Sequence, residues 1–249
     1  MKKSIWPGLG FTVLVLSTLA CSIVIPYGSG AGTVRGNGTL ATEERSVGGI
    51  TGVELAMSGT LHIEQGDSEE LVVEAEGNLL PYIETVMRGD TLLIRTESGT
   101  SIQTTRPVDF RLIVTELTDL SISSSGDIFA PALEGNRCTL DISSSGTIEL
   151  DQVDCTILTV RISSSGDITI AGGSAERQDV RISSSGDYNA RDVTGTEAEI
   201  NISSSGSATV NVIERISGSI SSSGNIYFGG NPTIDVRTTS SGKVESLEK

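Results

Sequence analysis

The chain has 249 residues, enough for one elongated domain with a leader and a linker. Its 17 basic residues against 32 acidic ones give a net charge of −15, which argues against nucleic acid and acidic lipid headgroups as partners. Only 4% of residues are aromatic while Gly, Ser, Thr and Ile abound, the composition of an all-β chain with many turns.

The first residues read as a bacterial export signal. Lys2 and Lys3 form a basic start, and Ile5 to Leu19 is mostly apolar, broken by Pro7 and Gly8. The stretch ends at Ser17-Thr18-Leu19-Ala20-Cys21, a small residue followed by a Cys able to carry diacylglycerol. Residues 1–20 are therefore expected to be a lipoprotein signal peptide, with lipidation at Cys21 and anchoring of the exported chain to the membrane. The site departs from the usual pattern, with Thr18 three positions before the Cys and Leu19 one place late. The alternative, an uncleaved anchor, suffers from a stretch short of the ~20 apolar residues a span needs.

Residues 21–45 read as the lipidated Cys and a Gly-rich tether, because YGSGAGTVRGN at 27–37 has no apolar period. A disordered N-terminal tail makes nearly the same expectation. Residues 46–119 then read as the first, irregular coils and an N-terminal cap. Val53, Leu55, Ser58-Gly59, Leu61 and Ile63 state a strand-turn-strand grammar once, and Leu71-Val72-Val73, Leu92-Leu93-Ile94 and Phe110 to Val114 are further strands. Asn78 to Arg88 is expected to form a short helix or ordered loop with Pro81 near its start.

From residue 120 to 249 the chain repeats. Ile-Ser-Ser-Ser-Gly recurs at 122–126, 142–146, 162–166, 182–186, 202–206 and 220–224, and Thr-Thr-Ser-Ser-Gly follows at 238–242. The glycines Gly126, Gly146, Gly166, Gly186 and Gly206 stand 20 apart, and Gly224 and Gly242 follow at intervals of 18. Two residues before each Ile stand Leu120, Leu140, Val160, Val180, Ile200 and then Gly218; two after each Gly stand Ile128, Ile148, Ile168, Tyr188, Ala208, Ile226 and Val244. The residues between are mostly polar. Alternation on both sides of the Gly means two short strands per repeat, one face in and one out. A repeat of about 20 residues cannot comfortably hold a crossover helix, so it matches one coil of a right-handed parallel β-helix. Roughly seven coils at ~4.8 Å each make a rod of about 30 Å.

The Ser-Ser-Ser-Gly corner is expected to use Gly for positive φ and stacked hydroxyls for hydrogen bonds to each other or to corner backbone groups. Its functional alternative is a Ser-lined binding strip. At the far end, Val244 to Lys249 is short and charged, as a guard against end-to-end pairing would be.

Few side chains suggest chemistry. His62, the single His, lies between Leu61 and Ile63 and should point outward, leaving no multi-His metal site. Asp127, Asp167 and Asp187 share one outward column, interrupted by Thr147. Asp167 and Asp187 should be neighbours on successive coils, close enough to bind Ca²⁺ or act as a carboxylate pair on an acidic polysaccharide. The plainer alternative is a solvated column after a tight turn, since Ca²⁺ needs six or more oxygens. Asp141 and Arg161 share another column, a register aid. Cys138 and Cys155 are offset by three columns, which on extended strands is too far to bridge, so two buried thiols are expected unless a corner closes the gap. Phe129 and Tyr227 face outward several coils apart, poor support for a sugar platform, and no cofactor is implied.

The sequence resembles the bacterial putative auto-transporter adhesin, head GIN domain, family. The resemblance rests on Gly52-Val53-Glu54-Leu55 with Ser58-Gly59, Ile63-Glu64-Gln65-Gly66, Val72-Val73-Glu74-Ala75, Asn78-Leu79-Leu80, Ile83-Glu84-Thr85 and Leu92-Leu93-Ile94. Ser-Gly-Asp-Ile or Ser-Gly-Asn-Ile at 125–128, 165–168 and 223–226 completes it, over about residues 45–244. It implies a secreted or lipid-anchored β-helix and carries no catalytic residues. The expected role is a non-enzymatic envelope or surface lipoprotein serving adhesion, scaffolding or interaction with an envelope or extracellular protein or glycan. The alternative is a polysaccharide-active enzyme or Ca²⁺-dependent binder using Asp167 and Asp187.

Overall fold

A computed structural model describes residues 32–247, so the expected signal peptide and Cys21 lie outside the described residues. The first half contains β1 (Thr33–Arg35), β2 (Leu40–Arg45), β3 (Gly52–Ala56), β4 (Thr60–Gln65), β5 (Glu70–Glu76), β6 (Ile83–Arg88), β7 (Thr91–Thr96), β8 (Ser101–Gln103) and β9 (Asp109–Val114). The repeat region supplies β10 (Asp119–Ile122), β11 (Asp127–Ile142), β12 (Thr147–Ile162), β13 (Asp167–Ile170), β14 (Gly173–Ile182) and β15 (Asp187–Ile202). It ends with β16 (Ser207–Ile220), β17 (Asn225–Gly229), β18 (Thr233–Thr238) and β19 (Lys243–Ser246).

The repeats stack as a parallel β-solenoid. Each strand pairs in parallel with its copy one repeat on, so Ile128 lies against Ile148, Leu140 against Val160 and Ile142 against Ile162. Six turns separate Gly126 from Gly242. Within one coil the inward residues are Ile148, Leu150, Val153, Cys155, Leu158, Val160 and Ile162. The in-out phase slips between Leu150 and Val153 and again between Cys155 and Leu158. Each coil thus has three short sides, one more than alternation around the Gly alone predicted. The coil shortens to 18 residues between Ala190 and Glu197, where the β15–β16 register shifts.

The interior is a set of aliphatic columns, and each fully buried Ile, Leu or Val contributes about 1.5–3 kcal/mol. One column breaks the pattern at Tyr188, which is fully buried and donates its hydroxyl to Gln178 Oε1 at 2.9 Å. The extra volume is taken up by Ala208, its neighbour on the next coil, and by Ala198, which stands against Gln178. Burial pushes the Tyr188 phenol far above its ordinary pKa.

The first half builds one more coil and then a cap. β3 and β4 lie beneath β10 and β11, joined by the Ser58-Gly59 corner, with Leu55 against Ile122 and Leu61 against Ile128. β7 and β9 continue the parallel stack below them. There the polarity reverses: β6 pairs antiparallel with β7, β5 with β9, and β2 with β5. This antiparallel layer covers the N-terminal end of the solenoid, the end that would otherwise offer open edges.

Two expectations are corrected here. The tether expected over 21–45 does not extend through Thr33–Arg35 or Leu40–Arg45, which pair with β8 and β5. The cause is Glu76, a buried carboxylate that accepts the N–H groups of Gly38, Thr105 and Arg106 and the Thr105 hydroxyl. These bonds, the Thr105 backbone N–H foremost, hold its carboxyl down to about 2 against the opposing pull of burial. The glycines that looked like flexible linker let the chain pass close by, since a Cβ on Gly36 would meet that carboxylate. Asn78 to Arg88 is likewise not a helix beyond one 3₁₀ turn at Leu80–Tyr82, with Pro81 in its first positions. Thr85-Val86-Met87 then runs as strand against Leu92-Leu93-Ile94.

Candidate functional site

The repeated corner dominates the surface, and its glycine acts differently from expectation. None of Gly126, Gly146, Gly166, Gly186, Gly206, Gly224 or Gly242 has φ in the left-handed region. What each lacks is room. A Cβ on Gly166 would lie 2.6 Å from the Gly146 carbonyl oxygen and 3.0 Å from that of Ser144, and one on Gly224 would lie 2.6 Å from the Gly206 oxygen. The glycines stack backbone on backbone. The serines also depart from expectation: Ser123 donates to Glu54 Oε1 at 2.9 Å, and the other serines of the Ile-Ser-Ser-Ser-Gly corners make no side-chain hydrogen bond within the described residues. The first and third serines of each corner are exposed. A ridge of free hydroxyls therefore runs along the repeats.

The aspartate column beside this ridge has a structural task. Thr147 N donates to Asp127 Oδ1 at 3.1 Å, Asp187 N to Asp167 Oδ1 at 3.0 Å, and Ser207 N to Asp187 Oδ1 at 2.9 Å. Where the coil below carries no Asp at this place, the glycine carbonyl takes over. Asp167 N then bonds Gly146 O, Asn225 N bonds Gly206 O, and Lys243 N bonds Gly224 O. Each Asp thus takes the first N–H after the next corner, the group that at the other corners bonds the glycine carbonyl. Asp167 and Asp187 are brought together as expected, in a shallow depression with Asn189, Arg191, Thr209 and Tyr227. One oxygen of each carboxylate is already engaged by backbone. Among the described residues no group of three or more His, Cys, Asp or Glu side chains could hold a metal ion.

His62 points outward and stacks on Phe129 of the next coil, ring centroids 5.2 Å apart and 14° from parallel. Ring faces spent on each other are not available as a sugar platform. Tyr227 stands further along the same column, past Glu149, Thr169, Asn189 and Thr209 and before Glu245. Asp141 and Arg161 are register neighbours. The Asp141 carboxyl is raised by desolvation, with Arg161 opposing. A cation that sequence reading passed over, Arg177, bridges Asp179 at 2.7 Å and Glu199 at 2.8 Å on an exposed face.

Cys138 and Cys155 form a disulfide, with Cα atoms 6.2 Å apart. The expected register holds, Cys138 against Leu158 and Gly135 against Cys155. The separation expected from it does not, because the segment between Gly135 and Cys138 is a corner rather than extended strand. Cys138, just past this corner, and Cys155, on the next coil, both point into the interior, which brings the two together.

Residues 49–232 match the family model described as putative auto-transporter adhesin, head GIN domain. Among solved structures, a putative adhesin of Bacteroides fragilis is 17% identical with a TM-score of 0.79, covering 86% of this chain and 100% of that one. A putative lipid binding protein of Parabacteroides distasonis is 24% identical with a TM-score of 0.70, covering 87% and 100%. A putative adhesin of Parabacteroides merdae is 20% identical with a TM-score of 0.68, covering 87% and 99%. At these identities the likeness is one of fold. No protein of curated function matches the chain.

Proposed function

The chain belongs to the putative auto-transporter adhesin, head GIN domain, family, and on that premise we propose that it is an exported, lipid-anchored rod with an adhesion or interaction role and no catalysis. The observation that carries the proposal is the corner ridge: hydroxyls repeated coil after coil and, past Ser123, free of partners among the described residues, on a stack whose nearby carboxylates serve the backbone. A stiff stack of this kind presents the same chemistry at one spacing to an envelope or extracellular protein or glycan. The Cys138–Cys155 disulfide supports export, since such bonds persist in oxidising compartments. Diacylglycerol on Cys21 would tether the rod to the membrane.

The test has two arms. Metabolic labelling with a radioactive fatty acid should mark the wild-type chain and not Cys21→Ala, which should leave the membrane fraction. Replacing both Asp167 and Asp187 by Asn should leave binding to isolated envelope unchanged, with no turnover of acidic glycan by either protein. Glycan turnover that disappears in the double variant would replace this reading with the enzymatic one.

A further inference from the structure

The two ends of the solenoid are built differently. At the N-terminal end the antiparallel layer closes the stack, and its outermost strands carry Glu43, Glu44 and Arg45 on β2 and Glu84 and Arg88 on β6. At the other end β18 pairs with β16 and β19 with β17, and among the described residues neither meets a strand on its outer side. A free strand edge is a template for pairing with another chain. The aliphatic interior also opens here: Ile234 is 40% exposed, while Val236 and Val244 are only partly buried on the columns they extend.

The outward residues of β18 decide what fits. Asp235 and Arg237 flank Val236 on one face of the strand. Laid antiparallel on a copy of itself about a two-fold axis through Val236, β18 sets each Asp235 opposite the Arg237 of the other chain. Ile234 then faces Thr238. Opposite charges directly across an antiparallel pair stabilise it, and like charges do the reverse. The alternation of sign along β18 is thus self-complementary in this one arrangement.

We propose that two copies of this chain dock end to end through antiparallel pairing of β18 with β18, an isologous contact that buries the open end of both cores. Each chain enters its solenoid through β1 and β2 at the capped end, so the docked pair carries its two entry points at opposite ends. Resting on the adhesion reading above, such a pair joins two surfaces that each bear the chain, and does not cluster copies on one surface.

The docking is tested on the full chain carrying Cys21→Ser, which cannot be lipidated, by sedimentation equilibrium up to about 100 µM, a range suited to a contact at the small end of specific interfaces. A monomer–dimer equilibrium is expected. Arg237→Asp places Asp against Asp at both symmetric contacts and should weaken it about tenfold. Asp235→Arg should do the same, and mixing the two variants should restore a dimer. Arg237 and Asp235 are exposed, and loss of the Asp235–Arg215 ion pair is a surface change, so circular dichroism should show both variants folded. A monomer throughout, a dimer indifferent to Arg237→Asp, or a ladder of higher species from head-to-tail stacking would each overturn the proposal. Liposomes bearing the full chain through the Cys21 thiol, the other cysteines being tied up in the disulfide, should aggregate with wild type and not with Arg237→Asp. Dimers in solution without liposome aggregation would uphold the docking and count against the adhesion reading.

Discussion

Replacing Gly166 by Ala separates two reasons for having glycine at a corner. If the residue were there for backbone freedom, Asn would substitute well, because Asn tolerates the left-handed region better than Ala does. The structure instead places a Cβ at position 166 only 2.6 Å from the Gly146 carbonyl oxygen and 3.0 Å from that of Ser144. Both are backbone atoms of the corner below, held between the end of β11 at Ile142 and the start of β12 at Thr147, so neither can rotate away, and two coils must part by several tenths of an ångström. Overpacking of this kind costs about 2–3 kcal/mol, which for a chain of this size lowers the thermal midpoint by roughly 5–10 °C. Gly166→Asn should cost at least as much. Gly99 is the control, with φ +81° and nothing near its Cβ position. There Ala should cost about 1 kcal/mol and Asn less. Thermal and urea melts of the four variants decide the matter. If Gly166→Asn is well tolerated, or Gly166→Ala costs less than Gly99→Ala, close packing is not what the repeat glycine serves.

The disulfide closes a loop of sequence separation 17, so removing it through Cys138→Ala with Cys155→Ala should cost about 3 kcal/mol, read from urea melts with and without reductant. Asp187→Ala should cost less than about 1 kcal/mol, because the Gly186 carbonyl can accept the Ser207 N–H as Gly146 accepts that of Asp167. A larger loss would mean that the carboxylate cannot be replaced at the corner. Glu76 has a folded pKa of about 2 against an ordinary 4.5, so its stabilisation is complete above about pH 4.5 and disappears as pH falls towards 2. The stability gap between wild type and Glu76→Gln should therefore shrink steadily over that window, with amide exchange at Gly38 and Thr105 reporting the same loosening of the cap.

Much of the solenoid was legible because its information is periodic. Leu120, Leu140, Val160, Val180 and Ile200 fall in one column whatever the details of the corner, and the pairing partners follow from the interval of 20 alone. What escaped is local three-dimensional detail that a column count cannot carry. The Cys138–Cys155 bond depends on the corner that the coil turns between Gly135 and Cys138, not on register. The strands at Thr33–Arg35 and Leu40–Arg45 depend on Glu76, more than 30 residues away, and the Gly-rich sequence around them resembles a linker. The aspartates were seen as a column, but the reason for them lies in backbone N–H groups that no side-chain pattern records. The single His and the sparse outward aromatics gave a reading of the sequence little from which to build a catalytic site.

Coil stacking itself is tested most directly by distance between spin labels on Ser124→Cys and Ser204→Cys, with Cys21→Ser and the native disulfide intact. The two serines sit at equivalent corners four repeats apart. One coil per repeat predicts an axial separation of about 19 Å, rising by ~4.8 Å when the second label moves to the next corner. An up-and-down sheet with these corners at hairpin tips would place two strands in every repeat, and a separation near 38 Å would contradict the account.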